Sequence, residues 1–379
     1  MRIFVDIRSL DTPIRSGIPE YAFALTQELL EQKGTDEYVL FGNSFRKRLE
    51  TLPLKDKADE WINWKLPNRL LDATSRLVGR PKIDLAIKAD IYWSPHFNIL
   101  SFRNPHRHIL TIHDISFAYF PEFFPPRKNL WHTEQNWRRQ IKEAGKVVAV
   151  SDFTRESILD ICRVPGEKVV RVYSGIKKIY RPLAKGASDI AEFKKAHDLE
   201  RPFFLYVGTL EPRKNVSGLV RAFNIVKSRP GNDDLQLVIA GAPGWLYDKI
   251  FREIGASPHR SDIKVWGAAK DEDMVYLYNL ALAFVYPSFF EGFGFPPLEA
   301  QKCGTPVIAS NRSSLPEILG ESALLVDPYR LEELVRAMEA VAADGALRDK
   351  LARQGLENSS RFSWESAAGE MRQIFAQTK

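Results

Sequence analysis

The segment Glu291–Glu299, EGFGFPPLE, combines two acids, two glycines and two prolines in nine positions. Gly292 and Gly294 allow the backbone to approach a ligand and to take positive φ. Pro296 and Pro297 suit the first turn of a helix, whose free N–H groups and dipole favour a phosphate. Glu291 falls in the loop and Glu299 inside the early helix, so they do not form a carboxylate pair on one face. Beside a phosphate, carboxylates serve better as acceptors for sugar hydroxyls than as phosphate ligands. The same residues also fit a glycine-rich turn with a capping acid.

Three further loops carry reactive types. GTLEPRKN (208–215) follows the apolar run FFLYV, and Arg213 and Lys214 arrive where the next helix starts. Two adjacent cations there could clamp a diphosphate leaving group, although a basic pair at a turn is also ordinary surface composition. RSGIPEY (15–21) places Gly17 between a strand and a helix, where its backbone could approach phosphate. His113-Asp114 ends the run ILTIH, at a strand terminus where a polar residue is tolerated. Two clusters mimic metal sites. Asp271-Glu272-Asp273 precedes MVYLYNLAL and reads as capping and first-turn acids. His106 and His108 have no Cys or acid cluster at ligand spacing. The expectation is therefore no metal.

These loops need strands and helices to hold them. Short β-branched runs alternate with amphipathic stretches, the grammar of parallel sheets covered by helices. Strands are expected at 2–7, 38–41, 90–94, 109–113, 147–151 and 169–173, with helices clearest at 18–31 and 127–143. A second series covers 203–207, 235–240, 263–266, 283–286 and 306–309. Between them, 177–202 reads as a linker without a persistent strand. The expected architecture is α/β, with two Rossmann-like doubly wound domains facing each other across a cleft. Ligands of such sheets lie at the carboxyl ends of the strands.

The chain has 379 residues, 44% hydrophobic and 27% charged, as in a soluble globular protein of two domains. No basic-then-apolar leader precedes the first strand, and no apolar run approaches the roughly 20 residues that span a bilayer. A cytoplasmic location is expected. The two cysteines, Cys162 and Cys303, read as buried reduced thiols. Residues 1–180 carry 29 Lys and Arg against 22 Asp and Glu, a net +7, whereas the remainder is near neutral at −1. A basic first half suits an anionic membrane surface or a phosphorylated acceptor, and fits an ordinary basic surface equally well. No nucleic-acid-binding signature occurs.

Taken together, YVGTLEPRKN, YPSFFEGFGFPPLEAQKCGTPVIAS and PEILGESALLVDP resemble the retaining glycosyltransferases of family 4, which have the GT-B fold. DIRSLDTPIRSGIPEY and TIHDISFAYFPE are similar to the branch containing bacterial O-antigen mannosyltransferases. The resemblance implies an acceptor-binding domain over 1–180, a nucleotide-sugar-donor domain over 181–361, and a helix over 362–379 returning to the first domain. It implies that Glu291 contacts hydroxyls of the transferred sugar and Glu299 the ribose diol. Arg213 and Lys214 would neutralise the donor diphosphate, and Phe293 and Gly294 would offer backbone N–H groups. Gly17 would approach the diphosphate, His113 would lie beside the reacting sugar, and Ser151 would line the same region. The base would sit near Trp266–Gly267. Two departures stand out: Thr209 follows the glycine where many relatives have arginine, and Ser16 rather than glycine precedes Gly17.

The expected reaction moves a hexose, with GDP-mannose the first choice and GDP-rhamnose or a UDP-hexose next. The acceptor is a hydroxyl of a saccharide or polyprenyl-diphosphate-linked molecule, and no cofactor is needed besides the nucleotide-sugar substrate. Two rivals remain: a soluble glucan or disaccharide synthase, and a non-catalytic two-domain sugar-binding protein. Aromatics interleaved with cations in 46–70 and 123–139 could rest on an anionic membrane, giving a peripheral location on the inner membrane.

Overall fold

Among the described residues, alternating β-branched and amphipathic runs fold as thirteen strands in two parallel sheets. The computed structural model describes residues 1–12, 17–46, 48–184 and 188–378. The chain divides into two units. The first joins Met1–Tyr119, Pro126–Gly175 and Ser363–Lys379, and the second joins Phe120–Pro125 and Ile176–Phe362.

The first unit holds β1 (Arg2–Asp6), β2 (Glu37–Gly42), β3 (Glu60–Asn63), β4 (Ile91–Ser94), β5 (His108–Ile112), β6 (Lys146–Ala149) and β7 (Val169–Arg171). Their order is β3-β2-β1-β4-β5-β6-β7, every neighbouring pair parallel. Alternate residues of β5 and β6, Leu110, Ile112, Val147 and Ala149, pack with Trp137, Ile141 and Ile158 from helices. Phe4, Val39, Phe41 and Tyr92 form a second cluster with Leu71 and Ile83. The final helix, Trp364–Thr378, belongs to this unit, with Trp364 against Tyr21 (5.7 Å between rings) and Phe375 against Trp93 (6.1 Å).

The second unit holds β8 (Phe203–Val207), β9 (Gln236–Ala240), β10 (Ile263–Gly267), β11 (Ala283–Tyr286), β12 (Val307–Ser310) and β13 (Leu324–Val326), ordered β10-β9-β8-β11-β12-β13. Each sheet reverses its strand order once, between β1 and β4 in the first and between β8 and β11 in the second. Loops leaving those neighbouring strands diverge to opposite faces and open a crevice, the usual ligand position in such sheets.

Four expectations need correction. β3 and β13 were absent from the sequence reading: β3 hides among charges and is an edge strand, and β13 has only three residues. The helix expected over 127–143 is two, Pro126–Glu134 and Trp137–Glu143, broken where Asn136 takes a left-handed conformation (φ 52°). The linker 177–202 contains a helix, Ser188–Ala196, whose Phe193 stacks on Tyr276 at 4.6 Å. The first unit ends at Gly175 rather than near 180, and Phe120–Pro125 groups with the second.

Candidate active site

β8 and β11 are hydrogen-bonded neighbours, so the loops after them meet although they are far apart in sequence. The short turn Pro212–Lys214 brings Arg213 and Lys214 forward, and Asn215 in left-handed conformation (φ 53°) starts the helix Val216–Lys227 behind them. The β11 loop supplies Ser288 and Glu291. Lys214 Nζ lies 2.6 Å from Glu291 Oε1 and donates to the Tyr286 hydroxyl at 2.7 Å. Arg213 Nη1 reaches Glu291 Oε2 at 3.1 Å, while its Nη2 lies 2.8 Å from Glu211 Oε1. Ser288 Oγ donates to Glu291 Oε1 at 2.6 Å.

All of these groups are largely withdrawn from water, with Lys214 8% and Glu291 7% exposed. Burial alone would raise the Glu291 pKa, but Arg213 and Lys214 beside it hold it down at about 2. Burial lowers the Lys214 pKa, helped by Arg213 and opposed by Glu291 and Glu211. Two cations and two carboxylates sum to zero net charge. The carboxylates orient the cations and oppose the effect of burial on Lys214.

The glycine loop behaves as its sequence implies. Gly294 takes φ 109°, where an added Cβ would meet Leu315 Cδ2 at 2.8 Å, and opens the helix Phe295–Lys302 with Pro296 and Pro297 in its first turn. Ser314 Oγ donates to the carbonyls of Glu291 and Phe293, both at 3.0 Å, and the Glu291 N–H donates to Ser313 Oγ at 2.8 Å. The loop is therefore clamped by hydroxyls from the segment after β12. The Phe293 ring is buried against Phe295 and Phe362, so only its backbone is suited to a ligand. Glu299 is half-buried, and the Tyr278 hydroxyl donates to its Oε2 at 2.9 Å. The two glutamates have separate partners and separate environments.

Beside this loop the ends of three neighbouring strands carry Gly208, Gly241 and Gly267. The Gly208 N–H donates to Ala240 O at 3.0 Å and the Gly241 N–H to Gly267 O at 2.7 Å. A Cβ on Gly241 would stand 1.9 Å from Gly208 O. Thr209 is partly exposed next to this shelf. Trp266 itself is covered by His197 (4.7 Å) and Phe193 (5.9 Å), so a base near this strand end would meet the backbone at Gly267 rather than the indole.

In the first unit, His113 follows β5 and its Nε2 bonds Pro95 O at 2.7 Å, with Tyr21 edge-on at 4.6 Å. Burial lowers its pKa to about 4, against the Pro95 carbonyl and Asp114, so it is neutral at pH 7. Ser151 is fully buried and caps the helix Asp152–Cys162, its Oγ accepting from the Thr154 N–H at 3.1 Å. The same hydroxyl donates to Thr154 Oγ1 at 3.0 Å, so capping engages its proton and one lone pair. Gly17 caps Ile18–Glu31 with φ 59°, and space is open where a Cβ would stand. Arg15 and Ser16 lie outside the described residues.

Sequence reasoning missed Glu211, Tyr286 and Ser288, which orient the cations and Glu291. The signals were an acid two residues before Arg213 and a YPS run that ends β11 and opens its loop. It also missed the buried pair Asp6–Arg8 at 2.8 Å at the end of β1, where Arg8 Nη2 also donates to Asn98 O at 3.0 Å. Of the metal-like clusters, Asp271-Glu272-Asp273 forms the first turn of Asp271–Leu280, and His108 is buried with Nε2 on Ser94 Oγ at 2.9 Å. Among the described residues, no group of three or more His, Cys, Asp or Glu is placed to hold a metal ion, and no helix is long and apolar enough to cross a membrane.

Comparison with known proteins bears on the family and the fold. The family model described as Glycosyltransferase Family 4 matches 16–178, and that described as Glycosyl transferases group 1 matches 188–358. The chain is 30% identical to O-antigen chain mannosyltransferase B of Escherichia coli, with 97% of each chain covered. Among solved structures, sucrose-phosphate synthase of Thermosynechococcus elongatus superposes with a TM-score of 0.76 at 20% identity, covering 99% of this chain and 98% of that one. Anabaena HepE in complex with UDP and glucose gives 0.76 at 17% identity over 100% of both chains. The second-unit crevice, its ion cluster and these matches lead to one conclusion: the chain belongs to glycosyltransferase family 4 and has the GT-B fold.

Proposed function

We propose that the chain transfers a mannosyl residue from GDP-mannose, with retention, to a hydroxyl of a lipid-linked or oligosaccharide acceptor in bacterial O-antigen synthesis. The observation that carries this reading is the 30% identity to an E. coli O-antigen chain mannosyltransferase across 97% of both chains. The Lys214–Glu291–Arg213 cluster supports the chemistry. A donor diphosphate competes with Glu211 and Glu291 for the two cations. Lys214 and Arg213 then stabilise the charge that grows on the leaving diphosphate as the glycosidic bond breaks. The start of Phe295–Lys302 adds its dipole. Glu291, released from the cations, accepts from hydroxyls of the transferred sugar, and Glu299 accepts from the ribose. These groups stabilise the leaving group without a metal ion. His113 is neutral at pH 7 and gives its one N–H, on Nε2, to Pro95 O, which leaves Nδ1 as an acceptor that adds no charge.

A panel of GDP-mannose, GDP-rhamnose, UDP-hexoses and ADP-glucose, assayed for donor hydrolysis and for transfer, tests the reading. Preference for GDP-mannose supports it; preference for UDP- or ADP-glucose favours a glucan or disaccharide synthase instead. Failure to turn over any sugar nucleotide would favour the non-catalytic alternative.

We also propose peripheral attachment to an anionic membrane, through the end of the stretch 46–70 and the helix that continues from it. The tryptophans are engaged in packing: Trp64 lies edge-on to Phe41 at 5.0 Å, and Trp137 is 5% exposed. Exposed apolar groups include Leu66, and Leu70, Leu77 and Val78 on and after the helix Asn68–Leu77, beside the exposed Lys65, Arg69 and Arg80; Leu130 is exposed in the second stretch. Such a face suits anionic headgroups over acyl chains. Sedimentation with phosphatidylglycerol vesicles at low salt is expected to pellet the protein, and no pelleting at any salt concentration removes this part.

A further inference from the structure

A cavity of about 360 Å³ opens in the first unit, lined by Asp11, Asn43, Ser44, Phe45, Leu66 and Asn68. It falls within the roughly 300–1,000 Å³ of small-molecule sites. Its walls come from the segments after β1, β2 and β3, the carboxyl ends of three adjacent strands. This is the side on which open sheets bind ligands.

The polar groups are fixed by one another. Ser44 Oγ donates to Asp11 Oδ2 at 2.7 Å and accepts from the Arg46 N–H at 3.0 Å. Asn43 Nδ2 donates to Asn68 Oδ1 at 2.6 Å, and Asn43 Oδ1 accepts from the Leu66 N–H at 2.8 Å. Each of the two amides still has an N–H to give, since a carboxamide nitrogen carries two. Asp11 Oδ1 is shielded from solvent and has no hydrogen-bond partner among the described residues. Buried polar atoms are nearly always satisfied, so this oxygen is an acceptor awaiting a donor. At the rim, Phe45 is 68% and Leu66 40% exposed, offering apolar area beside the polar wall. Asp11 and Arg46 are the charged residues of the lining itself.

We infer that this cavity is a subsite for a neutral hexose of the acceptor. Asp11 Oδ1 accepts from a sugar hydroxyl, Asn43 and Asn68 donate to ring or hydroxyl oxygens, and Phe45 and Leu66 cover the C–H face. The biological role rests on the transferase reading above, but the binding does not require turnover.

The test is calorimetric titration of the full-length protein with methyl α-mannoside, α-mannobiose and mannose 6-phosphate, without donor. The neutral sugars are expected to bind more tightly than the phosphorylated one. Asp11→Asn and the exposed Asn68→Ala are each expected to weaken binding roughly tenfold. In turnover, the same variants should raise acceptor KM more than donor KM. No binding by the wild type, binding that both variants leave unchanged, or tighter binding of mannose 6-phosphate overturns the subsite. Sugar binding that the variants weaken, in a protein that transfers nothing, upholds the subsite and removes the transferase reading instead.

Discussion

Each unit places an acid and an arginine two residues apart at or just beyond the end of its first strand, at the point where its sheet reverses order. Asp6–Arg8 and Glu211–Arg213 are both paired at 2.8 Å. In both units the arginine also reaches a backbone carbonyl in the loop across the switch, Asn98 O from Arg8 and Phe290 O from Arg213. The first pair is bidentate, with Arg8 Nε to Asp6 Oδ1 at 2.9 Å and Nη2 to Oδ2 at 2.8 Å, and side-chain exposures of 4% and 3%. The second shares its arginine with Glu291 and stands beside Lys214 and Tyr286. One device therefore works as a sealed strut in the first unit and, on our reading, as an exchangeable ion cluster in the second. The difference lies in what surrounds it.

The largest effect should come from breaking the strut. Arg8→Met leaves Asp6 buried without its partner and should cost about 3–5 kcal/mol of unfolding free energy. Urea titration checks this, and a loss below about 1 kcal/mol would mean that Asp6–Arg8 is not a strut. Lys214→Met should act mainly on chemistry, lowering kcat/KM with the cognate donor by roughly 10²–10³-fold. Turnover within a few-fold of wild type would show that the two pairs are both structural.

Acid should separate the units by pH window. Burial lowers His108 to about 3 and His113 and His132 to about 4, against 6.5 for the unfolded chain. Between these values the unfolded state binds more protons, so the stability gained from the neutral histidines is full above 6.5 and lost as pH falls toward 4. Glu291, held at about 2 against 4.5, keeps its contribution above 4.5 and loses it only as pH falls toward 2. Hydrogen exchange near pH 5 should therefore show the first unit loosening before the second. Simultaneous loosening would contradict the contrast. The smallest effect is expected of Ser151→Ala, about 1 kcal/mol from a lost helix cap with donor KM little changed; a large rise in donor KM would return Ser151 to the ligand site.

The sequence made the strand–helix alternation plain because both sheets have strands of buried β-branched and aromatic runs. It hid β3, where Glu60 and Asn63 flank only Trp61 and Ile62, and it hid the helix break at Asn136, which depends on one residue's left-handed backbone. Arg213, Lys214 and Glu291 were legible by type and by loop. Their mutual pairing was not, because Lys214 and Glu291 are 77 residues apart and meet only through the β8–β11 neighbourhood. Ser151 shows the opposite limit: a serine opening VSDFT fits a ligand contact and a helix cap equally, and only the hydrogen bond to Thr154 distinguishes them.

Gly241 has a consequence for reading mutational maps. A Cβ there would meet a carbonyl oxygen of the next strand end rather than a side chain, so no rotamer change can relieve it. In a saturation screen Gly241 should tolerate no substitution, as a reacting residue would, although it offers no functional group. Its signature is loss of folded protein in step with loss of activity, whereas intolerance at Lys214 should leave more protein than activity.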